Sequence, residues 1–162
     1  MKCQPTKNYE SNDVVYTPTH LAGEIVSHFS PKGKMLEPCR GNGSFLRHMD
    51  NADWCEISEG KDFFDYTKKV DWIITNPPWS KITPFLKHSL EIAENVVFLV
   101  TVNHMWTECR IRAIRDAGFK IKEILLIDWP DKSYGFPKSG FQLGVIHIKR
   151  KWNGKTTILD LR

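Results

Sequence analysis

The run Val96-Val97-Phe98-Leu99-Val100-Thr101-Val102 constrains the fold of this chain more than any other stretch. A half-exposed strand alternates apolar and polar residues. A nearly continuous apolar run reads instead as a strand buried on both faces, the mark of a central strand in a parallel sheet covered by helices. A shorter run, Trp72 to Ile74, has the same character and ends abruptly at Asn76-Pro77-Pro78-Trp79. The two prolines fix their own φ, donate no backbone hydrogen bond and push Asn76 away from helical geometry. The expected product is a stiff turn at the carboxyl end of a strand, where open α/β sheets bind ligands.

Such a turn has a specific chemical use. The side-chain oxygen of Asn76 and the carbonyl of Pro77 can both accept from one amino group. That draws the nitrogen lone pair out of an aromatic ring, while Trp79 offers a flat face to stack on the ring. The simpler alternative is a turn that only ends a strand. Asn/Asp-Pro-Pro-aromatic is the catalytic motif of the amino-methyltransferases, and the sequence resembles that family here. The resemblance implies S-adenosylmethionine (SAM) as the cofactor, with a methyl sulfonium as electrophile. It gives Asn76, Pro77, Pro78 and Trp79 the catalytic roles.

Upstream motifs follow in the same family's order. In Tyr16-Thr17-Pro18, Thr17 reads as an N-cap and Pro18 as the first position of a helix. The apolar face of that helix is Leu21, Ile25, Val26 and Phe29, and Ser30-Pro31-Lys32-Gly33 ends it. Free amides at its start can hold a carboxylate. The segment resembles the motif before the cofactor strand in one subclass of adenine DNA methyltransferases, which implies that Thr17, with Tyr16 beside it, lies at the methionine carboxylate.

A short strand, Lys34 to Leu36, then runs into Glu37-Pro38-Cys39-Arg40-Gly41-Asn42-Gly43-Ser44 and a second helix from Phe45 to Met49. Strand, glycine loop and helix let backbone approach a nucleotide ligand. Leu46 stands where a dinucleotide fingerprint would need its third glycine. The loop resembles the SAM loop, acidic-Pro-x-x-Gly-x-Gly, which implies cofactor contacts from Glu37, Pro38, Gly41 and Gly43.

Asp53 to Ile57 reads as the next strand. A carboxylate at its end can accept from both hydroxyls of a ribose; Glu56 is the first choice and Glu59 the competitor. The resemblance also gives Asp62 the adenine amine and Phe63 the adenine face. The spacing departs from the family, because only four residues separate Ile57 from Asp62, where a helix and a strand are usual. That leaves the third strand in doubt and the pocket more open.

Past Trp79, Thr83 and Pro84 read as the cap and first position of a helix bearing Phe85, Leu86, Leu90 and Ile92. A further helix is expected over 103–117, with Arg110, Arg112 and Arg115 as a solvated face. Strands are expected over 122–127 and 141–149. The loop between them, 128–140, mixes aromatics with lysines; aromatics stack on bases and lysines meet phosphate. Lys132, Tyr134, Phe136 and Lys138, together with Trp79, are therefore the expected substrate contacts. An ordinary hairpin-like loop is the plainer alternative. Lys149-Arg150-Lys151-Trp152 is a second nucleic-acid candidate.

At 162 residues the chain is expected to be one minimal methyltransferase domain, with residues 1–13 loosely ordered and no separate target-recognition domain. No apolar run nears the ~20 residues that span a bilayer, and no signal peptide is visible, so a cytoplasmic protein with no membrane partner is expected. Four cysteines and six histidines show no close metal-ligand spacing; the thiols are read as reduced and no metal is expected. A net charge of +4 permits a polyanionic partner.

The combined expectation is an α/β, Rossmann-like class I methyltransferase: a mostly parallel central sheet, helices on both faces and an antiparallel last strand. The implied activity is SAM-dependent methylation of the adenine N6 amine in DNA. RNA base-amine methylation, protein-glutamine methylation and a degenerate, non-enzymatic binding module are the alternatives. The expected partners are nucleic acid, DNA before RNA, and a second copy or a partner subunit for target recognition.

Overall fold

The structure is a computed structural model, and it describes residues 14–137 and 139–161. The expectation of loose order over residues 1–13 therefore falls outside the described residues. In chain order the elements are α1 (Thr19–Phe29), β1 (Met35–Glu37), β2 (Asp53–Trp54), β3 (Val70–Thr75), α2 (Ile82–Ile92), β4 (Ala93–Thr101), α3 (Glu108–Asp116), β5 (Phe119–Leu126), β6 (Leu143–Arg150) and β7 (Thr157–Asp160). The strands form one sheet in the order β2-β1-β3-β4-β6-β5-β7. β6 pairs antiparallel with both β4 and β5, and every other pairing is parallel.

β4 is buried at every position except Glu94. Its side chains alternate between two cores. Val96, Phe98 and Val100 pack with α2 and α3, whereas Val97 and Leu99 pack with α1 and Phe45. β6 repeats the pattern, with Ile146 and Ile148 on one side and Leu143 and Val145 on the other. The period of two thus sends one strand's residues into two layers, which is what helices on both faces require. The one amide in β4, Asn95, is satisfied across the sheet: its Nδ2 donates to Asp71 O (3.0 Å) and its Oδ1 lies 3.0 Å from His147 Nε2.

Several expectations are corrected. The antiparallel strand is the penultimate one, β6; β7 follows it and lies parallel to β5 at the sheet edge. Its four residues are all exposed, so no burial pattern announced it. The helix expected from Phe45 to Met49 is only a 3₁₀ turn, Leu46–His48, because the backbone turns extended at Met49 (φ −113°, ψ 106°). α1 starts at Thr19, with Pro18 in the flanking position and no side-chain cap, so Thr17 lies outside the helix. α2 starts at Ile82, two residues before Pro84, where a missing N–H still loses no helical bond. The helix expected over 103–117 is divided into a 3₁₀ turn, Val102–Met105, and α3. Arg110 is not a solvated cation: its Nε donates to Thr83 Oγ1 (3.0 Å) and its Nη1 to His104 O (2.5 Å). Cys39 and Cys55 are free, but Cys109 is disulfide-bonded, against the expectation of reduced thiols.

The doubt about the third strand is resolved among the described residues. Between β2 and β3 stand the 3₁₀ turns Ile57–Glu59 and Phe63–Asp65 and an isolated bridge between Glu56 and Lys61, and the sheet ends at the two-residue β2.

Phe98 is fully buried at the middle of the sheet. Phe98→Ala is expected to lower unfolding stability by about 3–5 kcal/mol, read from urea denaturation; a loss below 1 kcal/mol would contradict the central placement of β4.

Candidate functional site

Parallel pairing brings the carboxyl ends of β1, β3 and β4 to one side of the sheet. Leu36 sits opposite Ile73, and Thr75 opposite Phe98. Glu37, Asn76 and Val102 therefore emerge from neighbouring strands at the same end.

The glycine loop is held by hydrogen bonds to the chain just past β2 and within itself. Cys55 N donates to Glu37 O (2.9 Å), Arg40 N to Cys55 O (2.9 Å) and Gly43 N to Arg40 O (2.7 Å). Gly41 (φ 51°) and Gly43 (φ 79°) both take left-handed conformations that the tight reversal needs. A Cβ on Gly41 would lie 3.1 Å from the Tyr16 ring, so the ring rests directly on the loop backbone. On the other side, Asn76 Nδ2 donates to Val15 O (3.4 Å). The Val15–Tyr16 segment thus joins the glycine loop to the Asn-Pro-Pro turn. Thr17, next in the chain, is buried.

Two carboxylates converge on the loop in different states. Glu56 Oε2 accepts from Gly41 N (2.8 Å), and its Oε1 accepts from Ser58 N (3.1 Å) and Ser58 Oγ (2.7 Å). Partial burial works to raise the Glu56 pKa, but the Ser58 and Gly41 hydrogen bonds and nearby Arg40 outweigh it and hold the carboxyl below its usual range. Glu37 is 1% exposed, and its Oε2 has no hydrogen-bond partner among the described residues. Burial pushes its carboxyl up to about 8, with the Leu46 and Phe45 amides and Arg40 opposing and Glu56 adding to the rise. Arg40 itself ion-pairs with Glu59 and lies 4.3 Å over the Trp54 ring. An unmet buried carboxylate oxygen beside a second carboxylate suits a ligand that carries positive charge and N–H donors. The residues present therefore fit SAM, which has both. Pro38 stands between Glu37 and Cys39 at the mouth of the loop.

Asp62 and Phe63 are engaged elsewhere. Asp62 Oδ1 accepts from Phe64 N (2.9 Å) and caps a 3₁₀ turn. The Phe63 ring is 3% exposed and stacks on Phe85 at 5.0 Å. This corrects the expectation that it would present a face to adenine, because core packing against α2 occupies it. The neighbouring Phe64 is the exposed ring of the pair.

At the turn, Trp79 Nε1 donates to Asn76 Oδ1 (3.2 Å) and to Leu99 O (3.3 Å). With Nδ2 bound to Val15 O, the Asn76 amide is fixed in orientation at both ends. The Trp79 ring is met edge-on by His104 (5.4 Å), Trp129 (6.3 Å) and Phe136 (6.3 Å). The loop after β5 thus reaches the turn through Trp129 and Phe136. Lys132 and Tyr134 lie on an exposed 3₁₀ turn of the same loop, and Lys138 lies outside the described residues.

Two neighbours of Trp79 escaped sequence reasoning. Trp129 was one aromatic among several in its loop. His104 had no motif, but its position just past the carboxyl end of β4 was the available signal. Burial and the Arg110 charge push its pKa down to about 4, so the ring is neutral at physiological pH. Among the described residues no cluster could hold a metal ion, and no helix is long and apolar enough to cross a membrane. A surface depression of about 550 Å³ beside Gly23, Glu24, Ser27, His28 and Leu161 is lined by none of the site residues.

The sequence matches no known protein family and no curated protein. Solved structures do match in fold. A protein of Pyrococcus horikoshii, provisionally described as an RNA methyltransferase, superposes with TM-score 0.63 at 15% identity, over 92% of this chain and 93% of that one. The M protein of the type I restriction enzyme EcoKI superposes with TM-score 0.62 at 14% identity, over 94% of this chain and 50% of that one. The 23S rRNA methyltransferase ErmE gives TM-score 0.58 at 12% identity, over 86% and 72%. The fold is that of the class I methyltransferases. The chain spans about half the length of the EcoKI subunit.

Glu37 gives a pH test. Its raised pKa means that the folded state holds a proton that the unfolded state releases near pH 4.5. Its contribution is therefore full below that pH and is lost as pH rises toward 8. Glu37→Gln is expected to remove that loss. Its unfolding free energy relative to wild type should rise by about 4–5 kcal/mol between pH 4 and pH 9 in denaturant titrations. A difference independent of pH would contradict the buried, protonated state.

Proposed function

We propose that this chain is a SAM-dependent methyltransferase acting on the N6 amine of adenine in DNA. The observation that carries the reading is the Val15–Tyr16 segment, which contacts the glycine loop on one side and Asn76 on the other. A cofactor loop and an amine-activating turn joined so directly can serve one cleft. The methyltransferase fold supports the same reading.

SAM would be held by Tyr16 and Thr17, by the loop from Glu37 and Pro38 to Gly41 and Gly43, and by Glu56; when bound it supplies an electrophilic methyl group on a sulfonium. Asp62 retains a carboxylate oxygen for the adenine amine, whereas Phe63 is omitted because its ring is buried. The remaining steps belong to the chain's own residues. Asn76 Oδ1 already accepts one hydrogen bond, from Trp79, and has a second lone pair for an amine hydrogen. The Pro77 carbonyl takes the other hydrogen, and Pro78, lacking an N–H, keeps the turn from competing for it. Both acceptors would localise the lone pair on the amine nitrogen and prime it for in-line attack on the methyl carbon; the S–C bond would break as the N–C bond forms, the neutral thioether would leave, and the surplus amine proton would pass to water. Extruding a paired base costs a few kcal/mol, and stacking on Trp79, worth ~1–3 kcal/mol, offsets much of it. Holding the partners in a near-attack geometry supplies most of the acceleration. His104, Trp129 and Phe136, packed against the Trp79 ring, would wall the same cleft and exclude water.

Fold likeness to RNA methyltransferases as well as to a restriction-enzyme M protein makes RNA the second reading. Transfer of labelled methyl to DNA, RNA and protein, followed by nuclease or protease digestion, separates the readings; label only in protein would contradict the proposal. Asn76→Ala is expected to lower transfer by about 10²–10³-fold or more while SAM affinity stays within a few-fold. Wild-type turnover in that variant would contradict the mechanism.

A further inference from the structure

The pole of the sheet opposite the site carries an uncompensated positive charge. β6 runs from Leu143 at the site end to Arg150 at the far end, and β5 runs back from Phe119. At ~3.3 Å per residue the two poles lie about 25 Å apart. At the far pole Lys120 of β5 stands directly opposite Lys149 of β6. Like charges facing each other across a ladder destabilise the sheet, so the pairing is a local disadvantage for folding.

More lysines gather at the same place. Lys122 and Lys149 both lie over the Trp152 ring, at 5.2 and 5.9 Å. Lys151 follows β6 in a left-handed conformation with its N bonded to Gly118 O, and the Lys155 carbonyl accepts from Trp152 Nε1 (3.4 Å). Among the described residues none of these five lysines is in an ion pair. Two carboxylates on the neighbouring strands are already engaged, Glu123 of β5 by His28 and Glu94 of β4 by Arg150. The field is felt inside: His147 is depressed to about 3, chiefly by burial, with Lys122, Lys149 and His28 adding to it.

We infer that the Lys120, Lys122, Lys149, Lys151 and Lys155 cluster around Trp152 is a second contact for the nucleic-acid backbone, separate from the cleft that takes the target base. The inference rests on the proposed nucleic-acid substrate. Lysines that have no ion-pair partner among the described residues match a polyanion with regularly spaced phosphates, and they confer affinity without reading sequence. β5 links this pole to the loop that meets Trp79, so a strand lying along the β5–β7 flank touches both ends. The span corresponds to about seven base pairs at ~3.4 Å each.

The test measures binding without SAM. Duplex DNA and single-stranded RNA of 20 or so nucleotides are titrated against the full chain at several salt concentrations, for wild type, K120Q/K122Q/K149Q and K120R/K122R/K149R. The slope of log K against log salt is expected to shrink by about 3 in the Gln variant and to stay at the wild-type value in the Arg variant. Affinity near 0.1 M salt should fall roughly hundredfold with Gln only. Methyl transfer to a target-bearing oligonucleotide too short to reach the pole should keep its kcat in both variants, with KM rising only on the long duplex. Equal slopes in wild type and the Gln variant would overturn the inference while leaving the methyltransferase reading intact. So would binding of the cluster to anionic vesicles but not to nucleic acid. Loss of short-oligonucleotide transfer in wild type would instead count against the proposed function.

Discussion

β4 has almost no side that can face water, and the rest of the molecule follows from that. Eight of its nine residues are buried, on both faces of the sheet, so it must have a strand on each edge and a layer on each face. β3 and β6 supply the edges; α1 supplies one layer and α2 with α3 the other. Once β3 is locked parallel to β4 by five residue pairs, the end of β3 is fixed in space, and with it the turn that begins at Asn76. Position at the site is thus inherited from burial far from it.

The site itself depends on balancing charge inside a small loop. Glu56 is ionised and fully engaged, clamping the Gly41 amide and the Ser58 turn. Glu37 is buried beside it and leaves one oxygen unmet. Two close carboxylates in one environment would repel. Here hydrogen bonds lower one pKa and burial raises the other, so a single negative charge stands in the loop at neutral pH. A cationic ligand would draw the second charge out. Asn76 is treated differently: both ends of its amide are tied, to Val15 and to Trp79, so the acceptor is preset rather than formed on binding.

Much of this could be read along the chain because its strongest signals are local. An unbroken apolar run, two adjacent prolines and a pair of glycines after Glu-Pro act on the backbone within a few residues, and each gave its element or turn. The hidden features depend on distant partners. β7 is an exposed edge strand recruited by β5, without any pattern of its own. Phe63 reads as a ligand-facing aromatic until Phe85, twenty-two residues later, covers it. Arg110 reads as solvated until Thr83 and the His104 carbonyl bind it. The missing strand after Ile57 was legible for the opposite reason: four residues are too few to build one.

The central claim is that one ligand lies between the glycine loop and the Asn-Pro-Pro turn, under the Tyr16 segment. A crystal structure of the chain with S-adenosylhomocysteine tests it most directly. The account predicts the amino-acid part of the ligand against Glu37 and Gly41, with the sulfur facing Asn76 and Pro77. A ligand bound elsewhere, or bound with its sulfur turned away from that turn, would contradict it.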